Sequence, residues 1–384
     1  MAKKPLEVVV SPTVLQWARE SAGWSVEDAA AQLKLDAQVL KGWESGERRP
    51  PFAALVSMAD EYKRPVAALL LPEPPQEPPP PADFRSLPGQ KGRLASDTLL
   101  AIRRARRLQG LAGEIMRGFG RPTTTHIAAA SLLDDPESIA SVERAGLGVS
   151  IDEQLGWQNP HGALRRWRAS LERENALVFQ FTMPLEDCRG FSLADQEPFA
   201  LVINSSDAIR ARIFTLFHEY GHLLLKTPGV CLPELTERHA DNLTASAERW
   251  CNRFAAALLV PLDALMFPGS RPASGGALGE VVNEESRRLK VSQEVILRRM
   301  LDLGAIGRRE FDTILQRLRA DQRQPKRTGG FVSPVRRAVA ERGRLFSSLV
   351  LDGLQAGVIT YADAADYLSL RLKHLGDVQS LLAA

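Results

Sequence analysis

Two histidines and a glutamate stand at fixed spacing inside the otherwise apolar run FTLFHEYGHLLL, residues 214–225. In an α-helix, positions i and i+4 lie one turn apart on the same face, so His218 and His222 can reach a single metal ion while Glu219 sits beside them. The chemistry this implies is hydrolytic: two imidazoles chelate a divalent cation, and the glutamate acts as general base toward water on it. The flanks, Ile213, Phe214, Leu216 and Phe217 before and Leu223 to Leu225 after, are those of a buried helix rather than a solvated one. Charged groups buried there are expensive unless something partners them, and a metal does.

A catalytic zinc takes three protein ligands and keeps one position open for water. The third ligand must come from elsewhere, and the downstream donors are Cys231, Glu234, Glu237, His239, Asp241 and Glu248. The extended pattern HExxHxxGxxH is absent, because Leu225 and Pro228 stand where it needs glycine and histidine. The best source is AERWCNRFAAALLVP, residues 247–261, which reads as a second helix whose apolar face (Trp250, Cys251, Phe254, Ala255, Leu258) can pack on the first. Glu248 opens that face. Tyr220 and His239 are candidates for stabilising an oxyanion, although each reads more readily as structural.

These helices need a scaffold. Upstream, ALVFQF, CRGFSL and PFALVIN are short, β-rich and separated by turn residues, which predicts a small sheet; helical periodicity returns near Ala208 and holds to about Leu318. Long helical patterns precede the sheet at residues 97–116 and 135–147. The arginine-rich run at residues 103–107 reads as a solvated helix face. Proline dominates residues 71–84 and forms a stiff spacer, and a second break falls at 320–330. The expected organisation is an N-terminal helical domain (1–71), a proline-rich linker (72–90), the metal-site domain (91–320) and a helical C-terminal module (330–384). The fold class is α+β, mainly α.

In the first block, Ser25 with Asp28 three residues on and Asp36 mark two helix starts. The segment W-E-S-G-E-R-R-P that follows resembles the XRE-type helix-turn-helix of phage repressors. The resemblance makes Ala37 to Glu44 the helix that enters the major groove, with Gln38 and Lys41 facing outward and Arg48 and Arg49 near phosphates. Lys34 replaces the usual turn glycine, and Val26 a frequent DNA-contacting glutamine.

HEYGHLLL followed by ERWCNRFAAALLVP resembles the ImmA/IrrE metallopeptidases, whose second helix carries E-x-x-A-N-x-F-A and ends in LLxP. Glu248 falls on that family's third metal ligand; Asn252, Phe254, Ala255 and Pro261 match, and Cys251 stands where alanine is usual. The resemblance implies a zincin-like His, His, Glu site for Zn²⁺, a ligand set that also accepts Mn²⁺. The order helix-turn-helix, proline spacer, Asp83 to Arg85 and peptidase resembles the fused subgroup of the family. That implies cleavage of a helix-turn-helix repressor in a stress, DNA-damage or mobile-element response. Two rivals are a DNA-binding regulator whose peptidase-like domain senses without turnover, and a toxin–antitoxin type component. His374, in the C-terminal module, reads as surface or packing.

Bulk properties add exclusions. The net charge of +3 gives no global argument for nucleic acid, and three cysteines, Cys188, Cys231 and Cys251, form neither a disulfide framework nor a CxxC site. No apolar run reaches membrane-spanning length, and the start MAKKPLEVVVSP is too brief for a signal peptide. A cytoplasmic protein is expected.

Overall fold

Short helices depend on caps, because the first backbone N–H groups have no partner inside the helix. The computed structural model of the chain describes residues 6–78, 94–226, 230–231, 242–266, 276–321 and 332–383. It opens with α1 (Pro12–Ser21), α2 (Val26–Leu33), α3 (Ala37–Glu44), α4 (Phe52–Glu61) and α5 (Val66–Leu69). Ser25 and Asp28 form a reciprocal capping box on α2, and Asp36 Oδ1 accepts from Gln38 N at 2.8 Å to start α3. α2 ends on Lys34 in the left-handed region, φ 53°, the conformation for which glycine is usual at this turn.

Leu15, Ala18, Leu40, Trp43, Leu55, Met58 and Tyr62 close the core of this unit. Buried Arg19 on α1 grips Glu44 at the end of α3 through two bonds, Nε to Oε1 at 2.8 Å and Nη2 to Oε2 at 2.9 Å, and donates Nη1 to the Trp24 carbonyl. The fork ties α1 to α3 and would leave a buried charge if either partner were lost.

The chain divides into two units, one ending at residue 104 and one continuing from residue 105. α6 (Ser96–Gly118) begins in the first and runs on into the second. The arginines at 103–107 have partners within the protein, which corrects the expected solvated face. Arg103 donates to the Tyr62 carbonyl at 3.0 Å, Arg106 lies 3.6 Å from Asp195, and Arg107 meets Asp366 at 2.5 Å.

The second unit continues with α7 (Pro136–Gly146), α8 (Ile151–Gly156) and α9 (Pro160–Arg173). Next come β1 (Leu177–Phe181), β2 (Gly190–Leu193), β3 (Ala200–Asn204), α10 (Ile209–Leu224), β4 (Val230–Cys231) and α11 (Asn242–Leu259). α12 (Gly276–Leu289), α13 (Gln293–Asp302) and α14 (Arg308–Asp321) follow, then α15 (Pro334–Arg342), α16 (Arg344–Gln355), α17 (Tyr361–Leu368) and α18 (Leu375–Ala383). The architecture is α+β, mainly α.

The sheet order is β1-β3-β2-β4. β1 runs parallel to β3, with Leu177 opposite Ala200, and β2 runs antiparallel to β3, with Phe191 opposite Val202. β1 and β3 are buried along their whole length, so their apolar runs are continuous rather than alternating, as expected where both faces are covered. α10 packs on β2 and β3 and between α9 and α11, and Phe217 meets Trp167 edge-on at 4.8 Å.

α15 packs against the edge strand β1, and the Ala340 carbonyl accepts from both Arg168 Nη1 (2.8 Å) and Gln180 Nε2 (2.9 Å). The turn from α15 into α16 is Gly343 at φ 82°, where a side chain would meet the Val178 carbonyl at 2.9 Å.

Candidate metal centre

α10 buries His218, Glu219 and His222 completely enough that none exceeds 1% exposure. α11 brings Glu248 to them, and what permits the approach is Gly221: a Cβ there would lie 3.3 Å from Cys251 Cα and 3.1 Å from its sulfur. Val260 continues the turn after α11, and Pro261, lacking an N–H, stops the helix. His218 Nε2 lies 3.2 Å from Glu248 Oε2, His222 Nε2 lies 3.1 Å from Glu248 Oε1, and the two Nε2 atoms are 3.2 Å apart. Among the described residues this is the one group of three such donors that could hold an ion.

The donor set fits a cation on two physical grounds. Ligands about 2.1 Å from a tetrahedral centre stand roughly 3.4 Å from one another, close to the separations seen here. The tautomer also agrees. His218 Nδ1 is 3.1 Å from Asn252 Oδ1, so with that oxygen as acceptor Nδ1 carries the proton and Nε2 of the neutral ring presents its lone pair to Glu248 and His222. Donors this close must share a positive charge, either a proton or a metal cation that displaces it.

The electrostatics belong to a tightly coupled set. Burial opposes the charge of Glu248, but His218 and His222 more than offset it and hold its carboxyl far below the usual range. Burial also opposes charging His222, yet Cys251 and Glu248 together raise it well above an ordinary imidazole. Glu219 moves the other way: burial pushes its carboxyl up, against the pull of His222 and His218 and a hydrogen bond from Ser192.

The structure places the remaining expected residues as follows. Tyr220 points away from the centre and donates to Glu143 on α7 at 2.5 Å, so it is structural. The Cys231 side chain, Glu234, Glu237, His239 and Asp241 lie outside the described residues, as does the Asp83 to Arg85 segment. His374 faces Asp377 at 3.2 Å. Two contributors carried no role in the sequence reading: Ser192 on β2, buried against Glu219, and Asn252, one turn beyond Glu248. The i+4 spacing from Glu248 to Asn252 was the available signal for the second.

On the N-terminal unit, Gln38, Lys41, Arg48 and Arg49 are all exposed. Lys41 is not free to meet a phosphate without competition, because Glu27 on α2 holds it at 3.2 Å. Arg48 lies along Gly42, 3.4 Å from where a side chain there would begin.

Residues 171–301 match the family described as the IrrE N-terminal-like domain, Peptidase_M78, a span from the end of α9 through α13 that holds the whole centre. Residues 15–69 match the family described as helix-turn-helix, HTH_3, which takes in α1 to α5. The chain therefore joins an XRE-type helix-turn-helix to an IrrE-like domain of the metallopeptidase class. No curated protein and no solved structure gives a significant match. Among the described residues, no helix is long and apolar enough to cross a membrane.

Proposed function

We propose that the chain is a metal-dependent endopeptidase acting in gene regulation in the cytoplasm, with His218, His222 and Glu248 holding zinc, or manganese, and Glu219 moving the proton. The observation that carries this reading is the convergence of three buried donor atoms beside a fully buried carboxyl. When bound, the cation supplies Lewis acidity toward a peptide carbonyl and makes water more acidic. Glu219 takes the proton from the attacking water and returns it to the leaving amine, and a carboxyl whose affinity for protons is raised by burial suits that return step. Ser192 aims Glu219, and Asn252 fixes the His218 ring so that Nε2 faces inward.

The substrate in this reading is a helix-turn-helix repressor, cut in a segment that is extended or locally opened, since a peptidase site takes its peptide in extended form. The chain's own helix-turn-helix unit supports it, as a module that pairs with such a repressor or touches DNA beside it. Its few exposed basic side chains, one of them held by Glu27, favour weak phosphate contacts over strong base reading.

Elemental analysis of the purified full-length protein against His222→Ala tests the metal assignment: about one divalent ion per chain is expected in the first and loss in the second. Glu219→Gln should keep fold and metal while cleavage of a helix-turn-helix repressor substrate falls at least about a hundredfold. Equal metal in wild type and His222→Ala refutes the site. Repressor left intact by the metal-loaded wild type, when an unrelated peptide is cut, refutes the substrate and spares the enzyme.

A further inference from the structure

A cavity of about 440 Å³ lies within the larger unit between α9, β1, the first turn of α10 and the helices α15, α16 and α18. None of the metal-centre residues lines it. Five of its lining residues are arginines, Arg165, Arg168, Arg212, Arg336 and Arg344, against a single carboxylate, Glu172. That carboxylate is already committed: its Oε1 accepts from the backbone N–H of Arg344 at 3.1 Å and so caps the start of α16.

Among the described residues none of the five forms an ion pair, although the Glu172 carboxylate acts on Arg168 and Arg344 and that of Asp207 on Arg212. Arg168 is 7% exposed and spends its two Nη atoms on neutral carbonyls, of Ala340 and Val178, while its Nε has no hydrogen-bond partner among the described residues. Arg212 reaches the Asp207 carbonyl and the side-chain oxygen of Gln180, and Arg344 the carbonyls of Leu381 and Leu382, again without a carboxylate. Arg165 and Arg336 are exposed at the rim.

A further positive contribution comes from the backbone. Ile209, the first residue of α10, lines the cavity, and that helix begins at Ala208 with no side-chain cap and no acidic residue in its first turn. Its N-terminal N–H groups border the same space, their partial positive charge reduced by the Asp207 carboxylate, whose Oδ1 accepts from Ala208 N at 2.8 Å. Clustering guanidinium groups around a buried arginine is costly without an anion to share them, and guanidinium forks match phosphate oxygens in pairs.

We propose that this cavity binds a small phosphorylated molecule carrying at least two phosphate groups. The charge excess, five guanidinium groups to one carboxylate, calls for an occupant with several negative charges. The volume is in the range of small-ligand sites and many times the roughly 30 Å³ that one water takes in the liquid, so there is room for an organic part beside the phosphates. Leu164 and Val339 give that part an apolar wall. The only ring among the lining residues is the imidazole of exposed His161, so recognition rests mainly on the phosphates.

The test is calorimetric titration of the full-length protein with inorganic diphosphate, and with sulfate at matched ionic strength. Three variants are compared: Arg165→Gln with Arg336→Gln, Arg336→Lys alone, and Arg317→Gln as an exposed control away from the cavity. One-site binding of diphosphate is expected, stronger than that of sulfate. It should weaken at least about tenfold in the double variant and less in Arg336→Lys, which keeps the charge and loses the fork, with Arg317→Gln unchanged. The exposed position of both rim arginines keeps the fold out of the comparison, and equal melting of unloaded wild type and double variant verifies this. The proposal is overturned by absent diphosphate binding, by sulfate binding as tightly, or by equal affinity in the double variant. A short random DNA duplex that loses affinity in the double variant while diphosphate does not bind would assign the arginines to nucleic acid, and likewise overturns it.

Discussion

Gly221→Ala isolates the contact on which the metal centre depends. In a helix interior the change by itself is favourable by about 1 kcal/mol. Here the new Cβ would stand 3.3 Å from Cys251 Cα and Cβ and 3.1 Å from Sγ, inside the roughly 3.5–4.0 Å at which carbon atoms pack best. Cα and Cβ belong to the α11 framework and cannot rotate away, so relief requires α11 to shift outward by a few tenths of an ångström. Overpacking of this kind costs about 1–3 kcal/mol, which cancels the propensity gain and leaves a net loss of about 0–2 kcal/mol. Stability is thus a blunt readout. The sharper one is metal affinity, because Glu248 rides on the same helix three residues earlier and loses register with His218 and His222. Zinc affinity should fall at least about tenfold, near 1.4 kcal/mol, in competition with a chelator of known strength. Removing only the sulfur, by Cys251→Ala in the Gly221→Ala background, should restore part of the loss, since the Cα and Cβ contacts remain. A Gly221→Ala protein that gains the full propensity benefit in urea denaturation and keeps its zinc affinity would refute the close-approach argument.

Asn252→Ala should weaken metal binding about 10–100-fold by freeing the His218 ring, and Asn252→Asp, which keeps an acceptor, should recover most of it; indistinguishable metal affinities would remove Asn252 from the centre. Glu27→Gln should release Lys41 and make binding of random DNA steeper in salt, by about one unit in the slope of log affinity against log salt. An unchanged slope would mean that Lys41 never meets a phosphate. Burial raises the Glu143 carboxyl even though Tyr220 donates to it, so the fold holds that proton to higher pH than the unfolded chain does. The stability this group contributes is present below the unfolded value of about 4.3 and is lost as pH rises through the folded one, so Glu143→Gln should flatten the fall. Parallel stability curves of wild type and variant from about pH 4 to 7 would show that Glu143 does not titrate in this window.

Features carried by local periodicity were readable from the chain. Ser25, Asp28 and Asp36 announce their helices because capping is a matter of three or four residues. His218, Glu219 and His222 announce theirs because ligand spacing equals the helical turn. The three short apolar runs became β1, β2 and β3, whereas β4 has only two residues and too little sequence to carry a pattern. What stayed hidden was set by topology. Arg19 and Glu44 are 25 positions apart, and Ser192 meets Glu219 only because β2 lies under α10. The run at 103–107 looked solvated because its partners, such as Asp195 and Asp366, are remote in sequence.

The shared Ala340 carbonyl bears on how the chain is made. Arg168 and Gln180 both donate to it, so α9 and the edge strand β1 stay incomplete until a residue 160 to 172 positions later has been synthesised. At about 5–20 residues per second that is a delay of roughly 8–34 s on the ribosome. During this interval Arg168 Nη1 lacks its Ala340 acceptor, Nη2 having only the Val178 carbonyl, and β1 lacks the helix that packs against it, although by its end His218, His222 and Glu248 have been translated. A nascent chain thus carries its metal donors before their scaffold is closed. Ribosome stalling or premature termination between residues 248 and 340 would release a product with every ligand present and an open β1 edge, a substrate for quality-control proteases rather than a working centre.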